Sequence, residues 1–531
     1  MKKIILLLMA LLVTLPGRAQ RDLGDIDINE LRKLQMVQMA VTSLYVDSVD
    51  QKKLTEDAIR GMLDKLDPHS SYTNAEETKK LTEPLEGNFE GIGVQFNILE
   101  DTLIVIQTVS KGPSEKVGIL AGDRIISVDT TTIAGVKMSK DDIMKKLRGP
   151  KGTKTRLGIV RRGVKEVLYF VVTRDKIPVN TLDAVYMISP GVGYIRLGSF
   201  GATSGREVRD AIKELKEKGM KSLIFDLSMN GGGYLGAAQE VAGEFLQSGD
   251  LIVYTEGRKT ERQVLNASSS GGNFRNGKLI ILVDEYTASA AEIVAGAVQD
   301  HDRGTLIGRR TFGKGLVQRP VPLPDGSMIR LTTAHYYTPS GRCIQKPYEK
   351  GKKEEYNDDL ENRYKKGELL STDSIHLDST KVYHTMKEHR VVYGGGGIMP
   401  DIFVPMDTTT YSAYYVALRR NNLINDYALK FIDRNRAKIS KKYKTCADFM
   451  AAYEVPAELT DSIIAAGKRK KVEPKDDNEL QKTLPDLRFT LKSLIIYDLW
   501  DRSEYYQFLN RRNNMVTRAL RELGIKTDDD K

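Results

Sequence analysis

The chain has 531 residues, 40% of them hydrophobic and 29% charged, which excludes both a multi-span membrane protein and a wholly disordered one. A net charge of +10 is mild over this length, and Lys and Arg interleave with Asp and Glu almost everywhere, which argues against nucleic-acid binding. Two cysteines, Cys343 and Cys446, are too few for a disulfide-stapled scaffold or a Cys-rich zinc module.

At about 150 residues per domain, the length suggests about three or four domains. The first segment is a leader. Lys2 and Lys3 precede an apolar run from Ile4 to Pro16, and Gly17 and Ala19 supply the small residues a signal peptidase accepts. The run is about thirteen residues where a membrane span needs about twenty, and no Cys follows it to take a lipid. Residues 1–19 are therefore expected to be a signal peptide, and the protein to be exported, soluble and periplasmic, with at most peripheral membrane association.

Residues 20–84 carry helical periodicity through Leu31, Leu34, Val37 and Met39 and again through Leu54, Ile59, Met62 and Leu66, until Pro68 blocks continuation. Residues 85–175 switch to short β-branched strands separated by glycines, with one amphipathic helix from Lys140 to Leu147, which predicts a compact β-rich module. Within an expected core of 176–410, residues 176–345 alternate strand and helix: strands at 192–197, 222–227 and 278–283, helices at 203–218, 234–246 and 290–299. That order predicts an α/β core with parallel strands. A hairpin follows, turning at Pro324-Asp325-Gly326. The charged stretch 350–390 reads as a solvated surface insertion, and 411–531 as a basic, Tyr-rich helical extension.

Two strand-to-helix junctions could carry chemistry, because ligands of open α/β sheets bind beyond the carboxyl ends of strands. In Asp226-Leu227-Ser228-Met229-Asn230-Gly231-Gly232-Gly233 the glycines allow backbone N–H groups to approach a substrate, although the glycine run by itself favours a flexible turn. In Thr287-Ala288-Ser289-Ala290-Ala291-Glu292 the serine and the glutamate three residues on form a capping-box pattern, which by itself explains the serine. The same place, at a helix N-terminus beside unpaired amides, also suits a nucleophile. The six histidines are scattered and no G-x-S-x-G elbow occurs. The candidate base is Lys314, set between Gly313 and Gly315, with Gln318 four residues on. A lysine acts as base only when neutral, so its pKa must fall by about three units, at about 4 kcal/mol.

Taken together these segments resemble the C-terminal processing peptidases, also called tail-specific proteases, over about residues 55–405. The resemblance rests on seven segments in the family's order: LDPHSSY (66–72), FEGIGV (89–94), AGDRIISVD (121–129), DLSMNGGGYL (226–235), TASAAEIVAGAVQD (287–300), GKGLVQ with LTTAHYYTPSGRCIQ (313–345), and GGIMPDIFVP (396–405). It implies a Ser289/Lys314 dyad supported by Gln318, and an oxyanion hole at the N–H groups of Gly232 and Ala290. It further implies that residues 85–175 are a PDZ domain whose carboxylate loop is Gly91-Ile92-Gly93-Val94 and whose groove is lined by Ile143 and Leu147.

The implied fold is a crotonase and Clp-protease-like α/β core joined to the PDZ module, with helical N- and C-terminal regions. The implied substrates are proteins or peptides with free, apolar C-termini, cleaved without metal or cofactor. An activator or adaptor protein and a homo-oligomer remain open. Two positions depart from the family's D-L-R-x-N-P-G-G loop: Ser228 stands for the arginine and Gly231 for the proline. The rival classes are a PDZ scaffold with a silent core, disfavoured by the retention of Ser289, Lys314 and Gln318, and a crotonase-like acyl-CoA enzyme, disfavoured by export.

Overall fold

The computed structural model of the chain describes residues 27–268, 272–408 and 411–527; the expected leader lies outside them. The described residues separate into two compact units that divide after Leu66. In the first, helices Ile28–Leu44 and Gln51–Leu63 begin at Asp27 and Asp50, whose carboxylates accept N–H groups of the first turn.

In the second unit, strands Val94–Leu99, Thr102–Thr108, Arg124–Val128, Lys154–Val160 and Leu168–Thr173 form an antiparallel sheet in that order. Helix Lys140–Leu147, capped by the Ser139 side chain, closes this β-module over Leu103, Val105, Ile125 and Leu157. Val94–Leu99 is an edge strand. The module joins the rest of the unit through the ladder between Asn88–Gly91 and Asp175–Pro178.

The core sheet has six strands in the order Leu182–Ser189, Val192–Leu197, Ser222–Asp226, Lys278–Val283, Thr305–Gly308 and Ile402–Phe403. The first pair is antiparallel and every later pair parallel. Its central strands read as continuous apolar runs because both faces are covered. Helices Ser204–Glu217, Leu235–Gly243 and Ala290–Asp300 contribute to the core of one face. On the other, Tyr194, Ile224, Ile280 and Ile307 pack with Met515, Val516 and Ala519 of helix Asn514–Glu522.

The predicted hairpin is Leu316–Pro322 and Met328–Tyr337, and the second of these strands also pairs with Ser71–Thr73 and Leu251–Glu256. Sequence periodicity missed Leu251–Glu256 because the segment is short and lacks strict alternation.

The 350–390 stretch is not merely solvated. Its helices Lys353–Asn357 and Asp359–Lys365 bury Tyr356 and Arg363, and Arg363 donates to the carbonyls of Arg310 and Thr311. Tyr356 and Arg363 sit on separate short helices, so no single helical period marks them among so many exposed charges.

The C-terminal extension has a core of its own, built by Leu418, Ile432, Phe449, Ile463, Leu491 and Ile495. It grips the β-module, where Arg124 and Arg162 both donate to Asp433, and Gln107 donates to the Trp500 carbonyl. Cys343 and Cys446 are free thiols. Among the described residues no helix is long and apolar enough to cross a membrane.

Candidate active site

Ser289 lies at the junction between strand Lys278–Val283 and helix Ala290–Asp300, in a backbone conformation (φ 57°, ψ −117°) that L-residues rarely adopt. Such strain persists only where neighbours hold it, and here they do. Tyr286 and Thr287 donate their N–H groups to Asp284 Oδ1, Thr287 Oγ1 donates to the Leu227 carbonyl at 2.9 Å, and Ala288 N–H donates to the Asn230 carbonyl at 2.9 Å.

The capping box expected from sequence is present: Glu292 Oε2 accepts the Ser289 N–H at 2.8 Å. The carboxylate does more than cap. Fully buried, it also accepts from Lys314 N–H at 2.9 Å, Gly313 N–H at 2.8 Å and Thr311 Oγ1. Burial raises the Glu292 pKa, and these four hydrogen bonds oppose that rise.

The loop carrying Lys314 is fixed at every residue. Phe312 N–H donates to the Thr287 carbonyl, Gly315 N–H to Gln345 Oε1, and Lys346 N–H to the Gly313 carbonyl. The flanking glycines are sterically required: a Cβ on Gly313 would come within 2.8 Å of Gly397 N, and one on Gly315 within 2.7 Å of Gln345 N. Burial lowers the Lys314 ammonium to about 8, helped by the Arg330 cation and opposed by the carboxylates of Glu292 and Asp67.

Ser289, Lys314 and Gln318 line one cavity of about 410 Å³, together with Gly231, Gly232, Gly233 and Ala290. Apolar side chains of Leu81, Ile293, Leu316 and Met328 supply much of the remaining wall. Lys314 precedes the strand that carries Gln318, so the two are not two positions of one regular strand. The strand begins at Leu316, and its pairing shifts between Val317 and Gln318. The Gln318 amide donates to Thr332 Oγ1 at 3.3 Å, and Thr332 Oγ1 donates to Asp67 Oδ1 at 2.9 Å.

Asp67 also receives the N–H groups of His69 and Ser70, so the turn at Asp67-Pro68-His69-Ser70 is knotted onto the hairpin behind the lysine. His69 Nε2 meets the Tyr356 hydroxyl at 2.9 Å. Burial, then the neighbouring Lys314 cation, push the imidazole down to about 3, so it stays neutral.

The glycine loop lies against the Ser289 turn. A Cβ on Gly232 (φ 95°) would sit 2.8 Å from the Ala288 carbonyl oxygen and 2.9 Å from both Ala290 N and Ser289 Cβ. The Gly232 N–H donates to Asn230 Oδ1 at 2.8 Å, while Ala290 N–H belongs to the first helical turn, where no intrahelical acceptor exists. At Ser228, where the family pattern has arginine, a guanidinium arrives from the adjacent strand: Arg196 Nη1 donates to Ser228 Oγ at 2.8 Å and to Asp226 Oδ2 at 2.6 Å.

In the β-module, Gly91 ends a strand and Ile92 is buried, its carbonyl accepting from Ser114 N–H and Oγ. Gly93 has φ 72° and Val94 opens the edge strand. Ile143 and Leu147 are 2% and 4% exposed, so they belong to the module's core. Val94, Phe96 and Ile98 on the edge strand are only partly buried.

Sequence reasoning missed the connecting roles of Glu292, Asp67 and Arg196. The available signal was charge in the wrong place: one acid at the start of an otherwise small and apolar helix, and one arginine in a buried strand.

Residues 191–353 match peptidase family S41 and 91–168 match the PDZ domain family. Residues 16–78 match the N-terminal domain of the activating protease CtpB, and 414–501 a family of unknown function. The chain is 40% identical over 310 residues to the carboxy-terminal-processing protease of Bartonella bacilliformis, covering 57% of this chain and 70% of that one. It is 34% identical over 331 residues to the carboxy-terminal processing protease CtpA of Bacillus subtilis, covering 62% and 69%. Among solved structures, the photosystem II D1 C-terminal processing protease aligns with 26% identity and a TM-score of 0.35, over 72% of this chain and 94% of that one. The chain belongs to the carboxy-terminal processing proteases of peptidase family S41, serine endopeptidases that here carry a PDZ domain.

Proposed function

We propose that Ser289 is the nucleophile and Lys314 its general base, with Gln318 as the supporting polar residue. The observation that carries this reading is that a strained, partly accessible Ser289 and a largely buried Lys314 line one cavity with Gln318, and burial there lowers the lysine to about 8. At pH 7 about one lysine in ten is then neutral, against about one in a few thousand at an ordinary pKa.

Neutral Lys314 takes the Ser289 hydroxyl proton as Oγ attacks the scissile carbonyl carbon. The resulting oxyanion is stabilised by the Ala290 N–H at the positive end of its helix, joined by Gly232 N–H when Asn230 releases it. The lysine ammonium then gives its proton to the leaving amine, and the C–N bond breaks to leave an acyl-enzyme. Water attacks the acyl carbon, its proton passing to Lys314; the lysine returns that proton to Ser289 Oγ as the acyl C–O bond breaks, which frees the serine and the new carboxylate product and leaves Lys314 neutral.

The PDZ domain presents substrate. A free C-terminal carboxylate fits the N–H groups of the loop Gly91-Ile92-Gly93-Val94, while the peptide adds as a strand along Val94–Leu99. The domain boundaries follow: N-terminal helical region to 84, PDZ domain 85–175, peptidase core 176–410 and extension 411–531. The leader at 1–19 sends the protein across the inner membrane to work in the periplasm.

The test compares wild type and Ser289→Ala on a peptide ending in apolar residues with a free carboxylate, reading product termini by mass spectrometry. Ser289→Ala is expected to fold and to bind but not to cleave; retained cleavage would remove Ser289 from the chemistry.

A further inference from the structure

The glycine loop has a support that the peptidase core does not supply alone. Arg196, on buried strand Val192–Leu197, is 8% exposed and reaches across to the neighbouring strand's end. Its Nη1 donates to Asp226 Oδ2 at 2.6 Å and to Ser228 Oγ at 2.8 Å, and its Nη2 donates to the Ser228 carbonyl at 2.8 Å. Asp226 in turn accepts the Ser228 N–H, so Ser228 is held through backbone and side chain before the chain runs on into Met229, Asn230 and the glycines.

One face of the guanidinium is covered by the C-terminal extension. The Tyr506 ring lies 4.8 Å from the Arg196 carbon Cζ. The helix bearing it, Arg502–Leu509, is registered on the edge strand Leu182–Ser189: Arg502 donates to Asp183 Oδ1 at 2.7 Å, and Val185 N–H donates to Ser503 Oγ at 2.9 Å. The Arg196 Nε has no hydrogen-bond acceptor among the described residues, and Asp183 Oδ2 lies 3.6 Å from it. The guanidinium thus has a competing carboxylate on its Nε side, while the ring closes one face to water and adds a cation–π attraction.

We propose that Tyr506 and Arg196 form a positioning pair for the glycine loop, through which the C-terminal extension sets the turnover rate at Ser289. Neither residue touches substrate. Arg196 fixes Ser228, Ser228 fixes the start of the loop, and the loop lies against Ser289 and Ala290, where a small displacement of donors costs rate rather than binding. The inference rests on the assignment of Ser289 as nucleophile, with the glycine loop at its oxyanion.

The experiment uses the full chain and a peptide substrate with a free apolar C-terminus, measuring kcat and KM for Tyr506→Ala, Tyr506→Leu and Tyr506→Phe beside Ser289→Ala, with the folded fraction of each determined by calorimetry. Corrected for folded fraction, Tyr506→Ala and Tyr506→Leu are expected to lose about tenfold to a hundredfold in kcat with KM unchanged. Tyr506→Phe, which keeps the ring face, is expected to stay within about twofold of wild type.

A merely structural role would lower the folded fraction and leave kcat per folded molecule intact, and that result overturns the proposal. So does Leu restoring turnover as fully as Phe, since volume rather than the ring face would then suffice. If Ser289→Ala retains activity, the underlying assignment fails instead, whatever the Tyr506 variants do.

Discussion

Lys314 donates its backbone N–H to Glu292 at 2.9 Å, and the oxygen that receives it, Oε2, also accepts the backbone N–H of Ser289 at 2.8 Å. One carboxylate atom therefore ties together the main chains of the proposed nucleophile and base, which are 25 positions apart in sequence. The lysine cannot drift from the serine without breaking a buried, charge-assisted hydrogen bond.

Glu292→Gln tests this tie. All four groups aimed at the carboxylate are donors: the N–H groups of Ser289, Gly313 and Lys314 and the Thr311 hydroxyl. An amide offers only one acceptor oxygen, so its NH₂ must face at least one of those donors. The variant is expected to lose at least about a hundredfold in kcat/KM on the scale of a misplaced catalytic group. The Glu292 carboxylate raises the Lys314 pKa, so in any residual activity the pH midpoint moves down. Unchanged kcat/KM would show the tie to be dispensable.

The capping-box pattern was visible in sequence and is real, yet it accounts for only one of the four bonds Glu292 accepts. Local spacing reveals a cap because both partners lie within one helical turn. It could not reveal that Lys314, Gly313 and Thr311 converge on the same carboxylate, because those contacts depend on how the hairpin folds back over the helix. Periodicity likewise located the strands and helices around Ser289, and the glycine run located the loop beside it. Arg196 stood out as a charge in a buried strand, but its partner was unreadable for a similar reason: it and Ser228 meet only because their strands are neighbours in the parallel sheet. Tyr356 and Arg363 were hidden by composition, as two inward residues in a stretch dominated by exposed charge.

Gly232→Ala tests the fit between the glycine loop and the Ser289 turn. The added methyl would meet the Ala288 carbonyl, Ala290 N and Ser289 Cβ at 2.8–2.9 Å, and φ of 95° is itself unfavourable for alanine. Because two of those neighbours are backbone atoms, the loop must move as a body. Loss of a single oxyanion donor costs about a hundredfold to a thousandfold in kcat, and the variant is expected to fall in that range. Its circular dichroism should match wild type. A variant with normal kcat would separate the glycine loop from the chemistry.

The pH dependence follows from the Lys314 charge. Its pKa is lowered to about 8, and the reaction needs the neutral amine, so kcat/KM should rise with pH and level off above about 8. The sign is fixed by the role, since protonation on the acid side removes the base. His69 does not contribute a limb near neutrality, because burial and the Lys314 cation hold it down to about 3. Lys314→Arg should be inactive throughout, as a guanidinium stays charged at every pH the fold tolerates. A rate that fell with rising pH across 7 to 9 would contradict a lysine base.

Recognition of the substrate's end can be tested on the substrate itself. Gly93 at φ 72° and the carbonyl of Ile92, held by Ser114, give the loop Gly91-Ile92-Gly93-Val94 a fixed shape, and the adjoining strand Val94–Leu99 is an unpaired edge. An incoming strand gains main-chain hydrogen bonds along that edge whatever its terminus, so the edge confers affinity without selecting chain ends. In the proposed mode, selection comes from the terminal carboxylate meeting the loop's N–H groups, because an amide carries no charge for them to stabilise. Replacing the terminal carboxylate of a peptide by a carboxamide is therefore expected to raise KM about tenfold or more, consistent with the strength of charge-assisted hydrogen bonds. The kcat should change little, since the proposed nucleophile and base, Ser289 and Lys314, lie in the core cavity and not in this loop. Equal KM for both peptides, measured under the same salt, would mean that this loop does not read the chain end.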